Sequence, residues 1–144
     1  MTAHRPSGDD GNAMVEFTYL AVLLMVPLVY VLLTVFQVQR AAFGVTEAAR
    51  QAGRAYVTAD DAVTGRVRAR AAAELALQDQ GLTLCASCLA PPSGAVVPGG
   101  SVSVRVEHRV VLPLVGGLFR GAVPPSIPVR ATHVEVVDRV REAP

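Results

Sequence analysis

The chain has 144 residues, a formal net charge of +1, 51% apolar residues and 17% charged residues. This length accommodates one small domain, or one membrane segment with a modest soluble part. The length excludes a large enzyme, the apolar excess excludes a disordered tail protein, and the near-zero net charge excludes a strongly basic nucleic-acid-binding protein.

The apolar excess is concentrated in Phe17–Gln39, a run of 23 uncharged residues of which 18 are apolar. As a helix this run would be roughly 34 Å long, enough to cross a hydrocarbon core of about 30 Å. Pro27 lies inside it and removes one backbone hydrogen bond, so we expect a local kink. A cleaved secretory signal has an apolar region of only about 7–15 residues, so the run predicts a transmembrane helix.

The residues before this run carry a second signal. A polar leader ends at Gly11, and Asn12 follows it. Glu16 and Phe17 lie at the start of the predicted helix. A glycine followed five residues later by a glutamate resembles the type IV prepilin processing site. With the long helix and the short Ala/Val-rich remainder, the chain resembles the TadE/TadF-like minor pseudopilins of tight-adherence (Flp) pilus systems. The specific motif covers only about the first 30 residues.

This resemblance implies that a membrane-embedded prepilin peptidase cuts after Gly11, so that residues 1–11 are a leader and the mature chain begins at Asn12. Gly11, Asn12, Glu16 and Phe17 would then be processing and recognition residues, with no catalytic role. The implied partners are the bilayer, the peptidase, and other pilin or pseudopilin subunits and pilus assembly proteins. The implied location is the bacterial inner membrane, with the C-terminal domain outside the cytoplasm.

The charge of Glu16 would allow an ion pair with the new N-terminus in this arrangement. An unpaired acidic side chain at the centre of a bilayer costs about 2.5–3.5 kcal/mol. A new α-amine at Asn12 would share a helix face with Glu16, four residues away, and could pair with it. The alternative is a boundary glutamate in the headgroup layer that caps the helix.

The orientation of the span has two readings. Arg40, Arg50 and Arg54 follow the uncharged run, and by the positive-inside rule they place the C-terminal side in the cytoplasm. The pseudopilin resemblance implies the opposite orientation.

The helical pattern continues through Ala41–Val57, which contains no proline. Gly44, Ala48 and Ala52 repeat at a spacing of four, which permits close helix packing against a partner but is also the pattern of any alanine-rich helix. We therefore predict one long helical segment over residues 12–58.

Residues 59–144 are predicted to form a small α+β domain. A second helix is expected over Asp61–Gln80 and to be terminated by Gly81. Its arginines, Arg66, Arg68 and Arg70, are interpreted as a solvated face because Glu74 and Asp79 offset them.

Alternation of apolar and polar residues predicts a strand over Val102–Leu112, and a less regular alternation predicts a second over Ile127–Val140. The loop 90–100 precedes them, and Pro113–Ser126, which joins them, is expected to fold over the sheet. His108 and His133 fall on the apolar faces of the strands and are predicted to be buried, hydrogen-bonded core residues. The predicted fold class is α+β: a transmembrane helix continuing into a long helix, then a second helix and a small antiparallel sheet.

Cys85 and Cys88 are the only cysteines. They would form a local disulfide in an exported domain. A redox dithiol or, with His108 and His133, a zinc site are the alternatives. A thioredoxin-type βαβ context is missing from the sequence around them.

No nucleophile motif or phosphate loop accompanies these residues, so we expect no enzymatic activity, metal, cofactor, nucleic acid or small-molecule substrate. Two other functions stay open: an uncleaved single-pass anchor that displays an extracytoplasmic binding domain, and a membrane-tethered CxxC thiol protein.

Overall fold

The computed structural model describes residues 10–112 and 125–138, with side chains from residue 13 onward. Its elements are helices α1 (Asp10–Val57) and α2 (Ala62–Gln78) and strands β1 (Ser93–Gly94), β2 (Ser101–Val111) and β3 (Ser126–Val136). The strands form one antiparallel sheet in the order β1-β2-β3. The predicted α+β class, with a long N-terminal helix, a second helix and an antiparallel sheet, is confirmed.

The chain divides into two compact units between Val35 and Phe36. In the first unit α1 exposes nearly all of its side chains, including Phe17 at 74% and Leu24 at 73%. Its most apolar 18-residue window has a mean hydropathy of 2.5, and none of that window is buried. The threonine hydroxyls are satisfied within the helix: Thr18 donates to the carbonyl of Met14 at 2.8 Å, and Thr34 to that of Tyr30 at 2.9 Å. This helix is long and apolar enough to cross a membrane.

Among the described residues, the core of the second unit is made mostly of small residues. Its hydrophobic cluster contains alanines from both helices and valines from β2, with Leu77 as its largest fully buried side chain. A Cβ atom built on Gly44 of α1 would lie 3.4 Å from Cδ2 of Leu77, so the two helices approach closely at this glycine. The α1 members of the cluster are Ala41, Val45, Ala48, Ala49, Ala52, Tyr56 and Val57.

The ends of α2 follow from local side-chain chemistry. The Asp61 carboxylate accepts hydrogen bonds from the backbone N–H groups of Val63 at 2.8 Å and Thr64 at 3.0 Å, which caps the first turn. At the other end Leu82 N–H donates to the carbonyl of Leu77 and Gly81 N–H to that of Gln78. With Gly81 at φ +65°, this is the Schellman termination expected of a glycine that follows a helix.

Strands β2 and β3 pair along their full lengths, from Ser101 opposite Val136 to Val111 opposite Ser126. The alternation in β2 sends Val102, Val104 and Val106 into the core, where all three are fully buried. The same sheet face reaches α1, because a Cβ atom on Gly53 would lie 3.4 Å from His133 and Glu135 on β3 and 4.0 Å from Val104.

Three predictions need correction. The loop 90–100 contains a short strand, β1, because Gly94 at φ +121° approaches the backbone of Ser101 and lets two residues pair with β2. His108 and His133 are half-exposed rather than buried, because β3 is an edge strand of the sheet as far as the described residues go, and His108 lies at an open cavity. Strand β3 ends at Val136, before the predicted Val140, and the linker prediction for residues 113–124 falls outside the described residues.

Candidate functional site

The predicted processing segment lies at the start of α1. The backbones of Gly11 and Asn12 are in the first turn of the helix, and the side chains of Glu16 and Phe17 are exposed one turn later. Within the described residues Glu16 has no ion-pair partner. Within the described residues the segment therefore lies in the first two turns of α1, with the side chains of Glu16 and Phe17 accessible.

The small residues predicted to mediate helix packing are buried inside this chain. Ala48 and Ala52 have no exposed surface, and Gly44 faces Leu77 and Leu82. Gly44, Ala48 and Ala52 therefore serve the contact of α1 with the rest of its own unit.

Cys85 and Cys88 form a disulfide, with an S–S distance of 2.07 Å. The turn that they close is attached to both neighbouring elements: Arg70 of α2 donates to the carbonyl of Ala86 at 3.2 Å, and Glu107 N–H of β2 donates to that of Cys88 at 2.8 Å. Beyond the turn, Ala90 N–H donates to the carbonyl of Arg105 at 3.0 Å. Residues 85–94, here called the disulfide strap, cover the edge of β2 opposite β3.

A cavity of about 390 Å³ opens beside the disulfide. Its polar lining comes from Thr83, the strap and β2, and its two cysteine sulfurs are bonded to each other in the disulfide. The lining residues are Thr83, Cys85, Ser87, Cys88, Glu107, His108 and Arg109.

A second cavity, here called the Arg40 cavity, has a volume of about 280 Å³ and shares Thr83, His108 and Arg109 with the first. It brings the exit of the uncharged run on α1 together with the end of α2 and the last residues of β2. The lining residues are Gln37, Arg40, Gly81, Leu82, Thr83, His108, Arg109, Val110 and Val111. Among the described residues its lining includes two arginines, Arg40 and Arg109, and no carboxylate residue, so its electrostatics favour an anion.

Glu107 organises the charges beside these cavities. Its carboxylate lies 2.7 Å from Nε of Arg130 on β3 and 3.5 Å from Nε of Arg109. The hydrogen bond from Arg130 is the main reason that the pKa of Glu107 lies below its usual value, and Arg109 lowers the pKa further. Glu107 therefore stays ionised and orients two arginines on the open face of the sheet.

The remaining candidates do not converge on a reactive centre. His133 hydrogen-bonds Glu135 at 2.9 Å on β3, and the arginines of α2 are exposed. Among residues 10–112 and 125–138 no three His, Cys, Asp or Glu side chains cluster as metal ligands would.

Sequence reasoning missed the Arg40 cavity, because its lining comes from residues up to 74 positions apart, Gln37 to Val111. One sequence signal pointed toward it: Arg40 is the first charge after the uncharged run. Arg109, the other arginine in the lining, cannot be told apart in sequence from any other polar position of an alternating strand.

Comparison of the chain with protein-family models, with characterised proteins and with solved structures gives no match.

Proposed function

We propose that this chain is a membrane-anchored, minor pseudopilin-like component or assembly factor of a Flp-type (type IVb) pilus. In this proposal a prepilin peptidase removes residues 1–11, and the mature chain, starting at Asn12, remains in the bacterial inner membrane. The domain that follows lies outside the cytoplasm and acts by packing against other pilus proteins.

One observation carries the proposal: the uncharged run and the folded unit share a single helix. α1 runs from Asp10 to Val57, and its distal part supplies Ala41 and Val45 to the core. A signal sequence is released from the protein that it exports, whereas this helix is part of the protein's own fold. A peptidase that cuts after Gly11, in the first turn of α1, leaves the continuity of the remaining helix with the folded unit intact.

The position of Glu16 supports the same proposal. After cleavage, the α-amine of Asn12 would stand four residues before the Glu16 carboxylate on the same helix face. The pair would neutralise two charges at the end of a membrane helix, where an isolated charge is unfavourable. In a neighbouring subunit the same amine could meet Glu16 across a helix–helix contact.

The test is the mass of the chain's N-terminus after co-expression with a prepilin peptidase. We expect a mature chain that begins at Asn12, and we expect Gly11→Ala to abolish the cleavage. Gly8→Ala is the matched control within the same leader, and it should be cleaved like the unchanged chain.

A start at Met1 or Thr2 in the presence of an active peptidase would contradict processing. That result would favour the alternative function, an uncleaved anchor that displays a binding domain, for which the two adjoining cavities beside β2 offer a candidate surface.

A further inference from the structure

We propose that the Arg40 cavity binds the phosphate group of an anionic glycerophospholipid. The inference rests on the membrane insertion of α1, which is part of the proposed function, but not on processing at Gly11 or on any role in a pilus.

The first support is the charge of the cavity. Nη1 of Arg40 lies 3.9 Å from where a Cβ atom of Gly81 would be, so this side chain runs along the cavity wall. Within the described residues Arg40 has no ion-pair partner. Arg109 contacts Glu107 through Nε, and no described contact involves its two terminal nitrogens. Guanidinium groups bind phosphate oxygens through paired N–H donors, so two arginines among the lining residues of one cavity suit a phosphate.

The second support is the level of the cavity along α1. Arg40 is the first charged residue after the uncharged run, and Gln37, one turn earlier, lines the same cavity. In a helix that spans a bilayer, this turn reaches the headgroup layer. Lipid phosphates would therefore lie at the level of Gln37 and Arg40, two of the residues that line the cavity.

The third support is a set of exposed apolar side chains, two of them close to Arg40 along α1 and one in the cavity lining. Phe36 and Phe43 lie within one turn of Arg40 on α1 and are 64% and 72% exposed, and Val111, a lining residue, is 53% exposed. A free phosphate ion would gain nothing from these side chains, whereas the glycerol and acyl portions of a lipid would cover them. The combination of cations and adjoining apolar groups favours a lipid over a soluble anion.

The experiment uses the full-length protein in mild detergent, with lipid adducts counted by native mass spectrometry. Dioleoyl phosphatidylglycerol and dioleoyl phosphatidylcholine compete at equal concentration, with and without excess inorganic phosphate. We expect phosphatidylglycerol to be retained selectively and phosphate to displace little of it.

The variant Arg40→Gln/Arg109→Gln should lose retention by about fivefold for each arginine removed. Arg54→Gln/Arg66→Gln is the matched control, with the same net charge and both changes on exposed helix positions away from the cavity. Arg40→Lys/Arg109→Lys keeps the charge and should bind at an intermediate level.

Equal retention of the two lipids, full displacement by inorganic phosphate, or an equal loss in the control variant would each overturn the proposal. Flotation with vesicles made of the same two lipids separates this proposal from membrane insertion. A protein that floats but shows no lipid preference contradicts only the cavity assignment, whereas a protein that does not float contradicts the membrane span itself.

Discussion

At the scale of single residues, two carboxyl groups make their stabilising contacts best when they are ionised. Asp61 caps α2, and hydrogen bonds from the side chain and backbone of Thr64 lower its pKa below 3.8. Glu107 is held ionised mainly by Arg130 on the paired strand β3, which lowers its pKa below 4.5. In both cases the folded state binds a proton less readily than the unfolded chain.

This difference sets the sign of the acid response. As the pH falls toward 3.8 and 4.5, the ordinary pKa values of Asp61 and Glu107, the unfolded chain takes up protons first and is stabilised. We expect the thermal midpoint to be independent of these two groups above about pH 6 and to fall below about pH 5. The variant Asp61→Asn, whose amide also caps helices, should show a shallower fall. The measurement is circular dichroism melting of the detergent-solubilised protein at a series of pH values.

Asp60→Asn is the control for that series. Its carboxylate lies 3.9 Å from Arg68 and accepts no backbone hydrogen bond at the start of α2 within the described contacts. If the two variants flattened the pH profile equally, the cap would not be the source of the acid response.

Individual residues also show where sequence reasoning reaches its limit. The alternation in β2 places His108 on the same face as Val106, as predicted, but it does not say how much of the protein covers that position. His108 lies toward the end of the strand, beside two cavities, and His133 lies on the edge strand, so both stay half-exposed. Periodicity predicts which face a side chain takes, whereas burial depends on elements distant in sequence.

At the scale of elements, glycines set how closely the helices approach other groups. A Cβ atom on Gly65 of α2 would lie 2.9 Å from Cδ2 of Tyr56 and 3.2 Å from its carbonyl oxygen. Tyr56 is buried, with 8% of its surface exposed, so its ring has little room to move. A Cβ atom on Gly53 of α1 would meet its nearest neighbours at 3.4 Å, which is ordinary contact.

The two glycines should therefore respond in opposite directions to the same substitution. We expect Gly65→Ala to lower the free energy of unfolding by about 1–3 kcal/mol, since overpacking outweighs the gain in helix propensity. Gly53→Ala should be neutral or raise it by up to about 1 kcal/mol. Chemical denaturation of each full-length variant, against the unchanged protein, measures both. Stabilisation by Gly65→Ala would contradict the close contact with Tyr56.

Element boundaries were predictable where they depend on neighbours in sequence. Asp61 and Gly81 mark the ends of α2 to within about two residues because caps are local. Strand β1 could not be predicted, since two residues with no alternation become a strand only when Gly94 lies against β2. The lining of the Arg40 cavity could not be predicted either, because its residues are distant from one another in sequence.

At the scale of the whole molecule, the disulfide strap joins α2 to the sheet through main-chain and arginine hydrogen bonds. The variant Cys85→Ser/Cys88→Ser should lower the free energy of unfolding by about 2 kcal/mol, the chain-entropy value for a four-residue loop. Melting of the detergent-solubilised protein with and without a reductant tests the same bond in the unchanged chain, whose thermal midpoint should fall on reduction.

The serine variant is also the control for the reductant, which should leave its midpoint unchanged. A midpoint for the unchanged chain that did not respond to reduction would contradict a stabilising disulfide. If the double variant keeps its activity in a pilus assay, the disulfide is structural. Loss of activity in a variant that still folds would favour the membrane-tethered thiol function.

The alanine-rich core of the folded unit has a consequence for how this chain tolerates mutation. Ala48, Ala52, Ala69 and Ala73 have no exposed surface, so each position has room for a methyl group and little more. A single-base change in an alanine codon yields glycine, valine, serine, threonine, proline, aspartate or glutamate. Glycine weakens the helix and the others add bulk, a polar group or a helix break. The helices that look simplest in sequence should therefore be the part of this gene in which the fewest missense changes survive.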